Sequence, residues 1–109
     1  MKRTLAVLFA LLLLPIAAAA GVYEDMEEAL ISGDTAWAIK LINRGMDVNS
    51  VDAAGNTLLM QTVNRDNQEF FDYLLKRRAR INTRNRNGET ALSLAAYRGK
   101  LHFVQRLVD

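Results

Sequence analysis

Cysteine is absent from this 109-residue chain. That absence excludes disulfide staples, a His/Cys metal set, and a lipid-modified N-terminus, since that modification requires a cysteine at the cleavage site. Histidine occurs once, at His102, and proline once, at Pro15. There is no glycine-rich phosphate loop and no nucleophile elbow. Beyond residue 20 bases and acids are equal in number, not the strongly basic balance of a nucleic-acid binder, so no nucleic-acid partner is expected. Most routes to catalysis or to metal and cofactor binding are therefore closed, and the chain is expected to hold no cofactor and no metal.

The N-terminus accounts for much of the apolar content. Lys2 and Arg3 precede an unbroken apolar run from Leu5 to Leu14, then Pro15, then Ala17 to Ala20. A positive start, a short apolar stretch and small residues at Ala18 and Ala20 predict a secretory signal peptide over residues 1–20, cleaved after Ala20. The rival is a membrane anchor, but Leu5 to Ala20 is 16 residues with Pro15 inside it, short of the roughly 20 that span a bilayer. The expectation is an exported protein, periplasmic or secreted, with no stable membrane insertion after cleavage.

Residues 21–109 then carry 12 basic and 12 acidic side chains, so their net charge is zero. The charges are not evenly spread. Before residue 60, seven acids face two bases; after it, ten bases face five acids. An electric dipole along the domain follows.

The chain repeats itself at a step of 33 residues. Gly55, Thr57 and Leu59 return as Gly88, Thr90 and Leu92, and Asn49 returns as Asn82. Trp37, Phe70 and Phe103 share that step, as do Leu41, Leu74 and Leu107. Gly33 and Gly99 lie two steps apart, with Asp66 in the slot between. A fixed period shared by turn formers and apolar positions marks stacked supersecondary units.

Each unit reads as two short antiparallel helices and a projecting turn. Tyr23 to Ser32 is a helix rich in acids, stopped by Gly33, and Asp34 caps a second helix that Gly45 ends. In the next unit Asp52 to Gly55 is a tight turn and Thr57 caps Leu58 to Arg65. Asp66-Asn67 breaks that helix, and Gln68 to Arg77 returns. The third unit has its turn at Asn85 to Gly88, Thr90 capping Ala91 to Tyr97, and a last helix from Leu101 to Val108. Trp37, Phe70 and Phe103 are expected in the stacking core.

These residues resemble the ankyrin repeats. The run Asp52-Ala-Ala-Gly-Asn-Thr-Leu-Leu-Met, continued through Leu74-Leu75 to Ala79-Arg-Ile-Asn82, follows that family's pattern. So does Asn85-Arg-Asn-Gly-Glu-Thr-Ala-Leu-Ser-Leu-Ala-Ala. The resemblance covers Met26 to the C-terminus. It implies an all-α solenoid of about three helix–turn–helix units (22–51, 52–84 and 85–109) with projecting turns, similar to small exported, periplasmic-type bacterial members. Two family features are missing. The proline after the cap threonine is Leu58 or Ala91, and the following histidine is Met60 or Ser93. Both losses remove preorganisation of the first helical turn.

The resemblance also implies a site. Turn tips and the outer faces of first helices form the recognition surface in ankyrin-like proteins. Here those positions are Ala53, Ala54, Asn56, Asn64 and Arg65, with Arg77 near the rim, then Arg86, Asn87, Glu89, Tyr97 and Arg98. Lys76, Arg77, Arg78, Arg80, Arg84 and Arg86 fall within eleven positions, which is either an ordinary solvated face or part of that surface. Tyrosine flanked by arginines is hot-spot composition, so the expected partner is an acidic protein. Three roles stay open: an exported adaptor or inhibitor-like module, an accessory or immunity-type protein that stabilises or neutralises a periplasmic enzyme, and an enzyme. The third is disfavoured: Ser32, Ser50 and Ser93 have no histidine at matching phase, and His102 is expected at the surface. The acidic first helix suits an N-terminal cap. The last unit shows no comparable cap, so two expectations stand side by side: the chain pairs with something there, self-association included, or it is a piece of a longer parent.

Overall fold

The computed structural model describes residues 21–109; the expected signal peptide lies outside them. Those residues form six helices, and the one β-type contact among them is an isolated bridge between Val51 and Thr57. α1 occupies residues 21–32, α2 Thr35–Asn43, α3 Leu58–Asn64, α4 Gln68–Lys76, α5 Ala91–Tyr97 and α6 Leu101–Val108. None is long and apolar enough to cross a membrane.

Side-chain caps set most of the boundaries. The Asp34 carboxylate accepts from Trp37 N, Thr57 Oγ1 from Met60 N at 3.1 Å, and Asn67 Oδ1 from Phe70 N at 3.0 Å. Each satisfies an amide that the first helical turn leaves unpaired, worth about 1 kcal/mol. Thr90 does more. Its Oγ1 accepts from Ser93 N at 3.1 Å while its own N–H donates to Ser93 Oγ at 2.8 Å, closing a capping box. Ser93 thus restores order to the turn where the family's histidine is missing.

The helix–helix corners share one backbone geometry. Gly33 and Gly99 turn with φ of 74° and 67°, and Asp66 in the middle slot adopts φ 60°. Arg78 does the same at 59°, 33 residues after Gly45. Two positions that elsewhere use glycine therefore hold side chains in left-handed backbone, at about 1–2 kcal/mol each.

α3 packs on α4 and α5, α2 on α4, and α5 on α6; α1 borders a groove with α3, and α6 meets α4 through Phe103 on Phe71 and Arg106 on Asp72, so α1, α3 and α5 form one layer and α2, α4 and α6 the other. No unit hides its own apolar side. Met26 and Leu59, one step apart, are 2% and 1% exposed beneath the next unit, whereas Leu92 at the same phase of the last unit is 38% exposed. Phe70, Phe71 and Phe103 are fully buried, and the Phe71 and Phe103 rings meet edge to face at 4.7 Å. Such a pair adds about 0.5–1.5 kcal/mol beyond its buried area. Trp37 departs from the expectation of a core ring: it is half-buried and packs against the cluster from outside.

Cross-unit polar contacts complete the stack. Thr35 Oγ1 and the Asn67 side-chain amide bond to each other, and Lys100 Nζ donates to Val63 O at 2.7 Å. The lysine is a second donor to a carbonyl at the end of α3 that also accepts from Asp66 N at 3.2 Å.

Candidate interaction surface

The projecting tips are built by side chains that imitate backbone turns. Asp52 Oδ1 accepts from the amides of Ala54 and Asn56, both at 2.9 Å. One step later Asn85 Oδ1 accepts from the amides of Asn87 and Glu89, at 3.0 and 2.9 Å. These are Asx turns, which need a short carbonyl-bearing side chain at the first position. The tips then join: Asn85 Nδ2 donates to Asn56 Oδ1 at 2.9 Å, and Arg86 N donates to Ala54 O at 3.1 Å. Gly55 permits this closeness. A Cβ there would lie 3.1 Å from Arg86 N and 3.3 Å from Asn85 Cα.

This construction divides the residues expected at the site. Asn56 and Glu89 are half-buried and bonded to Asn85, so their polar atoms serve the tip ladder. Arg86 and Asn87 stand exposed on the second tip. A second cluster lies at the far ends of the first helices, roughly 10 Å away given the rise of a seven-residue helix. It holds Asn64 and Arg65 at the end of α3, and Tyr97 and Arg98 at the same phases at the end of α5. Tyr97 is 91% exposed and Arg98 is its exposed neighbour. Asn64 is half-buried, and its Oδ1 is enclosed with no hydrogen-bond partner among the described residues. Arg77 belongs to neither cluster. It caps α4 in the return-helix layer, where Nη1 donates to Asn43 Oδ1 at 3.0 Å and to the Tyr73 hydroxyl at 3.1 Å.

Two ion pairs occur among the described residues, Arg106 with Asp72 at 3.0 Å and Lys100 with Asp66 at 3.9 Å. Arg65, Arg86 and Arg98 take part in neither, so their guanidinium groups are free to meet carboxylates. Ala53, Ala54 and Arg65 also border an open groove beside α1, together with Tyr23, Met46 and Val51. Repeat phase did not reveal that groove. Its walls come from three different elements, and only the acids of α1 hinted at it.

His102 corrects an expectation. The positions one and two steps earlier, Glu69 and Ala36, are exposed, but His102 is half-buried with its ring edge-on to Phe103 at 5.5 Å. Its Nε2 is enclosed with no hydrogen-bond partner among the described residues. The carboxylate of Glu69 stays in water; the imidazole meets the Phe103 ring edge to face instead. No group of three or more potential metal ligands occurs among the described residues.

Known proteins bear on this geometry. A family model of ankyrin repeats in three copies matches residues 15–109. Inversin of Danio rerio is 36% identical over 85 residues, 78% of this chain, and inversin of Gallus gallus is 33% identical over 85 residues, 77% of this chain. In both cases the match spans only 8% of the relative's own length.

Proposed function

The chain belongs to the ankyrin-repeat family, and from that premise we propose that it is an exported interaction module that grips an acidic protein through Arg86, Tyr97 and Arg98. Ankyrin repeats generally mediate protein–protein interaction, and proteins built from them are typically non-enzymatic scaffolds. The observation that carries the reading is Tyr97: a large aromatic ring, 91% exposed, beside a free arginine and one repeat step from Asn64. Tyrosine and arginine supply most of the energy in protein interfaces. A solenoid also presents such groups on rigid helix ends, which keeps the ordering cost of binding small.

Export rests on the pattern of residues 2–20. In an exported compartment the partner fits either of two roles, an enzyme held inactive or an enzyme kept stable. Affinity capture with the chain from that compartment, repeated with Arg86→Ala/Tyr97→Ala/Arg98→Ala, tests the surface. An acidic partner kept by the parent and lost by the triple variant supports it; equal capture dismisses it. Assaying the captured enzyme with and without the module then separates inhibition from protection.

Self-association is a second element of this proposal. Leu92 and Val108 are 38% and 63% exposed, where Leu59 and Ile42 at matching phases are 1% and 2%. At the second of these phases exposure rises along the chain, from buried Ile42 through half-buried Leu75 to exposed Val108. Sedimentation across a concentration series is expected to show a dimer, and a concentration-independent monomer would dismiss this element.

A further inference from the structure

The acidic end of the domain has its own concavity. An open groove of about 510 Å³ lies between α1, the first tip and α3. The side chains of Met26, Leu30 and Leu58 back it, each nearly inaccessible, and Tyr23 and Val51 stand half out of water on its border at 49% each. Glu24, Glu27 and Asp52 line it, against a single cation, Arg65. Glu24 and Glu27 are three residues apart on one helix and so share a face. Both are exposed, and neither has a hydrogen-bond or ion-pair partner among the described residues. The Asp52 carboxylate holds the tip amides and adds charge more than free acceptors.

We propose that this groove docks a protein segment carrying a lysine or arginine beside a bulky apolar side chain. The cation meets Glu24 and Glu27, and the apolar group seats against Tyr23, Met46 and Val51. Both halves of that description are needed. An ammonium alone gains little from an apolar wall, and an apolar segment alone leaves two carboxylates unmatched beside it. The groove is open rather than enclosed, which suits a chain passing through it better than a small molecule held within. The sign of its charge is opposite to that of the Arg86–Tyr97–Arg98 surface, so one segment cannot satisfy both. The domain would therefore present two sites of opposite preference, in keeping with its charge asymmetry.

The probe is a ten-residue peptide of alternating lysine and leucine, followed by fluorescence anisotropy against the whole chain. Two control peptides replace every lysine by glutamate or every leucine by serine. The lysine–leucine peptide is expected to bind, with both controls weakened roughly tenfold or more. Glu24→Lys/Glu27→Lys should weaken it by a similar factor, and the same reversal at Glu69, exposed on α4, should leave it unchanged. Added salt should loosen the complex, because the pairs are exposed. If the double reversal loses its helical circular dichroism, Glu24→Gln/Glu27→Gln replaces it. No binding of the lysine–leucine peptide, equal binding of the glutamate peptide, or indifference to the Glu24/Glu27 variants would each overturn the proposal. None of these results bears on the Tyr97 surface, which is read from its own variants.

Discussion

Replacing Gly55 with alanine puts a methyl group where two tips touch, and replacing Gly88 puts the same group where nothing touches. Both glycines have left-handed backbone, with φ of 79° and 76°, so both substitutions carry the same intrinsic penalty of about 1–2 kcal/mol. At Gly88 no atom lies within 4 Å of the added carbon, so the penalty stops there. At Gly55 the carbon meets Arg86 N at 3.1 Å and Asn85 Cα at 3.3 Å, both backbone atoms that cannot swing aside. To make room, the tips must part and weaken the bond from Arg86 N to Ala54 O. Losing one such bond adds about 0.5–1.5 kcal/mol. Gly55→Ala is thus expected to cost about 1.5–3.5 kcal/mol and Gly88→Ala about 1–2. Urea denaturation followed by circular dichroism measures both, with an unchanged slope showing that only stability moved. Equal midpoint shifts, or a larger one at Gly88, would refute the idea that tip-to-tip contact holds the units in register.

Arg78→Gly should stabilise the domain. It removes about 1–2 kcal/mol of left-handed strain and returns about 0.4–1 through a looser unfolded chain, a net gain of up to about 1.6 kcal/mol, read as a raised urea midpoint. Phe103→Ala deletes a fully buried ring and its edge-to-face partner contact, and should cost about 3–5 kcal/mol, enough to leave so small a domain largely unfolded by circular dichroism. His102→Phe keeps an aromatic ring against Phe103 while removing an enclosed nitrogen that has no partner, so its melting temperature should match or exceed the parent's.

The repeat made the fold legible. Thr57 and Thr90 announced their helices, Gly33 and Gly99 marked corners, and Asp66 stood in a glycine's slot with the glycine's geometry. Contacts between units were harder to read. Asn85 looked like a turn former and is one, but that its amide also clasps Asn56 depends on how neighbouring tips are spaced, which phase alone does not specify. Ser93 read as a lost histidine; its hydroxyl is short enough to close a capping box, a pattern usually sought with glutamate or glutamine. His102 failed for a related reason. Equal phase places the backbone equally, but the polarity of each side chain decides whether it reaches water or a ring. Within the candidate site, phase puts Tyr97 in the slot of Asn64 and Arg98 in that of Arg65, but it could not show that Asn56, Glu89 and Arg77 are already engaged.

The claim on which the account turns is that a protein partner meets the first-helix ends and not the return-helix layer. A photoreactive amino acid in place of Tyr97, and in a second protein in place of Glu69, tests it within the compartment where the chain works. The account predicts adducts to an acidic protein from position 97 and none above background from position 69. Adducts arising mainly from position 69, or no more from 97 than from 69, would contradict it.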